Sequence, residues 1–202
     1  MIALIDYGMG NLGSVDKALR RVGCEVTITS DPGVIAEAQG VVLPGVGAFD
    51  DCVEGMQSSG MVKPTLEAIA SGKPFLGICL GLQMLFESSE EGRRAGLGVF
   101  KGKCVRFTHD LKIPQIGWNQ INIKRPAPHL EGVAEGSWVY FVHSYHVVPE
   151  DEGIIATTTD YGYEFCSAVW RDNVFASQYH PEKSQAVGLQ ILTSFKRVVD
   201  AC

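Results

Sequence analysis

Pro74-Phe75-Leu76-Gly77-Ile78-Cys79-Leu80-Gly81 decides the fold. The apolar run Pro74–Ile78 reads as a buried strand and Leu80–Glu87 as the helix that follows it. Gly77-Ile78-Cys79-Leu80-Gly81 then has the form Gly-x-nucleophile-x-Gly between strand and helix, the pattern of a nucleophile elbow. The glycines suit a sharp turn whose neighbouring backbone comes close. Such a turn sets the Cys79 sulfur at a helix N-terminus, where partial positive charge favours the reactive thiolate.

Outward from this stretch, the first ninety residues alternate between strand and helix. Ile2–Asp6, Glu25–Thr29 and Gly40–Leu43 read as strands. Leu12, Val15, Leu19 and Val22 share one helical face, with Gly23 as a stop. Val34–Ala38 reads as a short helix at best, and Phe49–Ser58 and Val62–Ser71 as helices. Such alternation predicts an α/β fold with a doubly wound, mostly parallel sheet and flanking helices. After about Gly92 the chain is richer in β-branched and aromatic residues. Gly96–Ile123, Ser137–Val148, Ile154–Thr159, Cys166–Trp170 and Val174–Tyr179 predict short, mostly antiparallel strands added to one side of the sheet. Arg125–Gly136 reads as a surface loop. Val187, Ile191, Phe195, Val198 and Cys202 predict a closing amphipathic helix.

The chain of 202 residues is expected to form one domain, residues 1–202. A net charge of −6 argues against a nucleic-acid or membrane-surface binder. No apolar stretch approaches a membrane span. Met1–Asp6 lacks a basic leader and reads as the first strand, not as a signal peptide. Six dispersed cysteines with no C-x-x-C pair fit reduced thiols and a cytoplasmic protein. Five of them read as small packing residues, and only Cys79 has a context that suggests reactivity.

His180-Pro181-Glu182 supplies the other half of a reactive site. Residues i and i+2 of an extended chain point to the same side, and Pro181 disfavours helix at His180. Glu182 is therefore placed to orient the His180 ring and stabilise its cation, as the third member of a triad does. Taken alone the tripeptide fits a turn beside a surface carboxylate; beside an elbow cysteine it suggests a Cys-His-Glu acyl-transfer site. Pro44-Gly45-Val46-Gly47 follows the third strand and shares the sheet edge with Cys79. The oxyanion donors would be Leu80 N–H and an N–H of Val46 or Gly47. The plain alternative for this loop is a tight strand-to-helix turn.

Other patterns compete. Gly8-Met9-Gly10-Asn11-Leu12-Gly13 fits G-x-G-x-x-G, with Asp31 closing the next strand, but a dinucleotide role leaves Cys79 and His180 unexplained. The turn reads instead as one that another surface approaches closely. His143 and His146, three apart in what reads as one strand, should face opposite sides, so no metal site is expected. Trp118, Trp138 and Tyr140 suit core or interface, and Gly117-Trp118-Asn119 reads as a loop where a Trp meets a partner.

With the cysteine elbow, the glycine loop and His180-Pro181-Glu182 in order along nearly the whole chain, the sequence resembles the triad-type class I glutamine amidotransferases. It is most similar there to glutaminase subunits of imidazole glycerol phosphate synthase. That narrower likeness rests on Asp6–Asn11, Pro44–Phe49, Gly77–Gln83, Pro114–Asn119 and His180–Ser184. The Pro-Gly-Pro loop of the anthranilate and GMP relatives is absent, as is the Gly-Gly-Glu-Ser loop of the pyridoxal phosphate relatives.

The resemblance implies that Cys79 attacks the side-chain amide of glutamine, with His180, held by Glu182, protonating the departing ammonia. Water then hydrolyses the thioester. The resemblance further implies that Gly47, Gln83 and the backbone of Ser144 and Tyr145 hold glutamine, with no cofactor. Ammonia would pass to a separate (β/α)8 cyclase subunit in a heterodimer, where a phosphoribulosyl-formimino aminoimidazole carboxamide ribonucleotide yields imidazole glycerol phosphate and an aminoimidazole ribonucleotide. Asn11, Trp118, Tyr140 and Lys183 match docking positions. The isolated chain would be a weak glutaminase until its partner shifts the loop Gly45–Gly47. Two other function classes are a stand-alone cysteine hydrolase, such as a γ-glutamyl peptidase, and a non-catalytic nucleotide-binding module.

Overall fold

The computed structural model describes all residues, Met1–Cys202. The first half runs β1 (Ile2–Ile5), α1 (Leu12–Arg21), β2 (Val26–Thr29), α2 (Pro32–Glu37), β3 (Gly40–Leu43), α3 (Phe49–Ser58), α4 (Val62–Ala70), β4 (Phe75–Ile78) and α5 (Leu80–Gln83). The second half runs β5 (Ser88–Ser89), β6 (Gly102–Arg106), β7 (Gln115–Gln120), β8 (Asn122–Ile123), β9 (Trp138–His143), β10 (Tyr145–Pro149), β11 (Ile155–Asp160), β12 (Glu164–Arg171), β13 (Val174–Ser177) and α6 (Gln185–Asp200).

The main sheet has the order β2-β1-β3-β4-β13-β12-β10-β6-β5, with β11 attached beside β12 and β8 beside β11. From β2 to β13 all pairs are parallel. β1, β3, β4 and β13 are buried at every position. Continuous apolar runs such as Val41-Val42-Leu43 suit strands covered on both faces, so no in-out alternation is seen. Helices supply that cover, with α1 beside α6 and α2 beside α4. The Asp31 side chain accepts from Gly33 N and caps α2.

Several expectations are corrected. β13 continues the antiparallel region on one side only: it runs antiparallel to β12, with Ser177 opposite Ala168, but parallel to β4, with Ser177 opposite Ile78, and so joins the two parts of the sheet. The helix after Cys79 stops at Gln83 instead of reaching Glu87. Leu85 N and Phe86 N turn back only three residues, to Leu82 O and Gln83 O, and Glu87 N donates to Gly102 O, so the α pattern gives way to tight turns and then to a contact with β6. Gly117-Trp118-Asn119 is strand, because β7 pairs with β9 in a separate two-stranded sheet. Arg125–Gly136 is not wholly superficial, since Ala127, His129 and Leu130 are buried and His129 stacks on Phe175 at 4.6 Å. On α6 the inward face carries Val199, and Cys202 lies exposed beyond the helix.

His143 and His146 do not occupy one strand. The chain breaks at Ser144 between β9 and β10, and both rings pack against Phe107, at 5.1 and 4.9 Å. Their four ring nitrogens contact Tyr145 O, Gln115 Oε1, Val147 O and Tyr163 OH. No helix is long and apolar enough to cross a membrane.

Candidate active site

Three adjacent parallel strands, β3, β4 and β13, release their chains at one edge of the sheet. Leu43 pairs with Gly77 and Ile78 with Ser177, so Pro44–Gly47, Cys79 and His180 emerge side by side. In open α/β sheets this carboxyl edge is where ligands bind.

Cys79 occupies the turn between β4 and α5 with φ 56° and ψ −108°. A non-glycine residue at positive φ stores strain of about 1–3 kcal/mol, held here by surrounding structure. Cys79 N donates to Ser177 O at 2.8 Å, and Cys79 O accepts from Leu82 N at 3.0 Å. Gly81 is required by close approach, because a methyl there would overlap the Leu43 carbonyl. A methyl on Gly45 would lie 2.5 Å from Leu80 Cβ and 2.9 Å from Gly81 N. α5 is a single turn, so what its start offers is first-turn N–H groups more than a long dipole.

His180 Nδ1 lies 2.8 Å from Glu182 Oε1, and the two side chains are 2% and 1% exposed. The carboxylate accepts from Nδ1–H, which leaves Nε2 as the reactive nitrogen. Nε2 and Glu182 Oε2 have no hydrogen-bond partner. Burial alone disfavours the His180 cation. The neighbouring Cys79 sulfur, and the hydrogen bond and charge of Glu182, outweigh it and raise His180 to about 10.

The glycine loop is tethered by two buried side chains. Tyr7 OH donates to Pro44 O at 2.8 Å, and Cys52 Sγ to Val46 O at 3.4 Å. Burial pushes the Cys52 thiol up to about 11 and raises Tyr7 further, so both remain protonated donors. Because a peptide is trans, fixing Val46 C=O toward Cys52 turns Gly47 N–H to the opposite side. Gly47 itself has φ +104°.

A cleft of about 250 Å³ brings together Val46, Gly47, Cys79, Leu80, Gln83, Ser144, Tyr145 and His180. Every catalytic, oxyanion and glutamine-binding candidate except Glu182 lines it, and Glu182 sits behind His180. Cleft residues the sequence reading missed are Glu91, Pro114, Val142 and His143. Glu91, in a charged stretch, gave no signal; its carboxylate accepts from Phe49 N at 2.9 Å. Gln178, whose amide nitrogen is 3.6 Å from Cys79 Sγ, was also missed. Its position two residues before His180 was a usable signal, since the same alternation that aligns His180 with Glu182 applies one step back.

Of the docking candidates, Trp118, Tyr140 and Lys183 cluster. Trp118 and Tyr140 meet at 6.0 Å, and Lys183 Nζ lies 5.9 Å from the Tyr140 ring. Asn11 opens α1, which packs against the turn Pro181–Lys183. The Gly8–Gly13 turn lacks the packing that a dinucleotide loop needs. The third glycine of that pattern permits close helix–strand contact, yet a methyl on Gly13 would meet nothing within 4 Å. Gly10, at φ +122°, instead lies against Pro44 of the glycine loop.

A strained cysteine at an α/β elbow, backed by a buried His-Glu pair and a glycine loop, is the equipment of an acyl-transferring cysteine enzyme. The family profile "Glutamine amidotransferase class-I" matches residues 3–197, and the chain belongs to that family. It is 57% identical to imidazole glycerol phosphate synthase subunit HisH of Syntrophotalea carbinolica, over 96% of this chain and 98% of that one. It is 54% identical to the subunit of the same name from Aquifex aeolicus, over 96% and 95%. Among solved structures it is similar to a glutamine amidotransferase (TM-score 0.78, 16% identity, 99% and 100% coverage). It is also similar to the glutaminase domain of Trypanosoma brucei CTPS (TM-score 0.72, 15% identity, 99% and 93% coverage). At these identities the solved structures show the fold alone.

Proposed function

We propose that residues 1–202 act as one glutaminase unit in which Cys79, His180 and Glu182 perform the chemistry. The chain is the glutamine amidotransferase subunit of imidazole glycerol phosphate synthase, in histidine biosynthesis, and a cyclase is its partner. The observation that supports the residue roles best is the shared cleft of Cys79, His180 and Gln83 above the buried His180–Glu182 pair.

In this reading the Cys79 thiolate attacks the glutamine amide carbon while Leu80 N–H and Gly47 or Val46 N–H stabilise the oxyanion. Protonated His180 delivers its proton to the leaving ammonia as the C–N bond breaks. A water, deprotonated by His180, then attacks the thioester, and glutamate leaves as the sulfur recovers its electron pair. Gln83 and the Ser144–Tyr145 segment hold the substrate. The Ser144 and Tyr145 carbonyls are already engaged, by Phe107 N and by Gln83 and His143.

The partner is proposed to be a (β/α)8 barrel forming a heterodimer on the face of Trp118, Tyr140, Lys183 and Asn11. Exposed Ile116 and Trp138 continue that face. We place the protein in the cytoplasm. Docking is proposed to shift the loop Gly45–Gly47 and so raise glutaminase activity.

The test is nitrogen sourcing. A cyclase subunit supplied with its ribonucleotide should make imidazole glycerol phosphate from ammonium salts alone, and from glutamine only when this chain is added. Failure to use glutamine with this chain present would reject the proposal.

A further inference from the structure

Gln178 plays no part in the chemistry described so far, yet it is fully buried beside the nucleophile. The hydrogen bonds around it fix which way its amide points. Tyr145 O can only accept, so the Gln83 atom 3.1 Å from it is the amide nitrogen. That nitrogen's second hydrogen is directed at Gln178, 3.0 Å away, so the Gln178 atom there must be the oxygen. The remaining atom, Gln178 Nε2, is therefore a donor, and it lies 3.6 Å from Cys79 Sγ.

We propose that Gln178 stabilises the Cys79 thiolate by donating a hydrogen bond to its sulfur, and that Gln83 relays substrate binding to it. The proposal rests on the glutaminase reading of the cleft and adds a residue to it. A sulfur anion accepts an N–H far better than a thiol or thioester does, so the bond favours the attacking species. Gln83 Oε1 is buried with no partner, and Gln83 lines the cleft. A donor group of bound glutamine would satisfy that oxygen and polarise the row from Gln83 through Gln178 to Cys79, because hydrogen bonds in sequence strengthen one another. The backbone holds the relay in place: Gln178 N donates to Ser167 O at 2.8 Å, and His180 N to Tyr140 O at 3.0 Å.

The experiment compares the full chain with Gln178→Met and Gln178→Glu. Alkylation of Cys79 by iodoacetamide is followed in the isolated chain between pH 6 and 9, on the mass of the Cys79 peptide. Glutamine kcat and KM are measured with the cyclase and its ligand. Loss of a hydrogen bond to a charged group predicts about a tenfold slower alkylation at pH 7 for Gln178→Met. Its pH curve should move upward to an unchanged plateau, and kcat should fall about tenfold with KM within about threefold. Gln178→Glu keeps the acceptor for Gln83 and puts a carboxylate against the sulfur, so its loss should be larger. It also serves if the methionine variant does not fold. Alkylation curves and kcat matching wild type in the folded variants would overturn the proposal. Wild-type chain that turns over no glutamine with its partner would instead reject the glutaminase reading, while the alkylation curves would still decide the role of Gln178 at the sulfur.

Discussion

Glu182 Oε1 holds His180 Nδ1 at 2.8 Å in a pair closed off from water. Glu182→Gln keeps the shape and removes the charge. Glutaminase kcat of the complex should fall by about 10²-fold or more, the range for a general base that loses its setting. The His180 titration followed by NMR should move below about 10, because Glu182 is one of the groups raising it. A histidine raised on folding contributes stability that is full below its unfolded value of about 6.5 and is lost as pH rises through the folded value. The stability gap between wild type and Glu182→Gln should therefore be widest below about pH 6.5 and close toward pH 10. Denaturant titrations across that window check the sign.

Gly81 and Gly13 make opposite predictions. Gly81→Ala drives a methyl into the Leu43 carbonyl beneath the elbow. It should destabilise the chain by about 2–3 kcal/mol and disturb Cys79. Gly13 lies in α1 with open space around it. Gly13→Ala should be neutral or stabilising by up to about 1 kcal/mol, and should leave glutaminase activity intact. Thermal melts of the two variants separate a structural glycine from a dispensable one.

His129 is buried and stacks on Phe175, and both of its ring nitrogens lack partners. Burial lowers it to about 4. The unfolded chain binds this proton near pH 6.5 and the folded chain only near 4, so the residue withdraws stability as pH falls between those values. The effect should amount to a few kcal/mol at the acid end. His129→Phe should flatten that part of the stability profile, as read from urea midpoints at pH 7 and pH 4.5.

Trp118 is 42% exposed and leans on Tyr140, which lies under Lys183. If this face receives the cyclase, Trp118→Ala should weaken binding by about 2 kcal/mol, the cost of losing a hot-spot aromatic. The melting temperature of the isolated chain should stay nearly unchanged. Calorimetric titration of the cyclase into each variant measures the difference.

The parallel core was legible in the sequence because doubly covered strands are written as unbroken apolar runs, as in Val41–Leu43 and Phe75–Ile78. Cys79 and His180 were legible because an elbow and an extended His-Pro-Glu constrain the backbone locally. Other features were not. β13 joins β4 through pairing between distant segments, and nothing within Val174–Ser177 states its direction. The early end of α5 depends on Gly102, distant in sequence, taking the Glu87 N–H that a longer helix would use. His143 and His146 share Phe107 because the chain bends at Ser144, where no glycine or proline marks a break. Gln178 lay one step of alternation from His180 and was within reach.

Ammonia release from glutamine, measured for wild type and Cys79→Ala, each alone and with the cyclase and its ribonucleotide ligand, tests the central claim most directly. The account predicts little release by wild type alone, strong release with partner and ligand, and none from Cys79→Ala in either state. Release that survives in Cys79→Ala, or its absence from the complete wild-type complex, would contradict it.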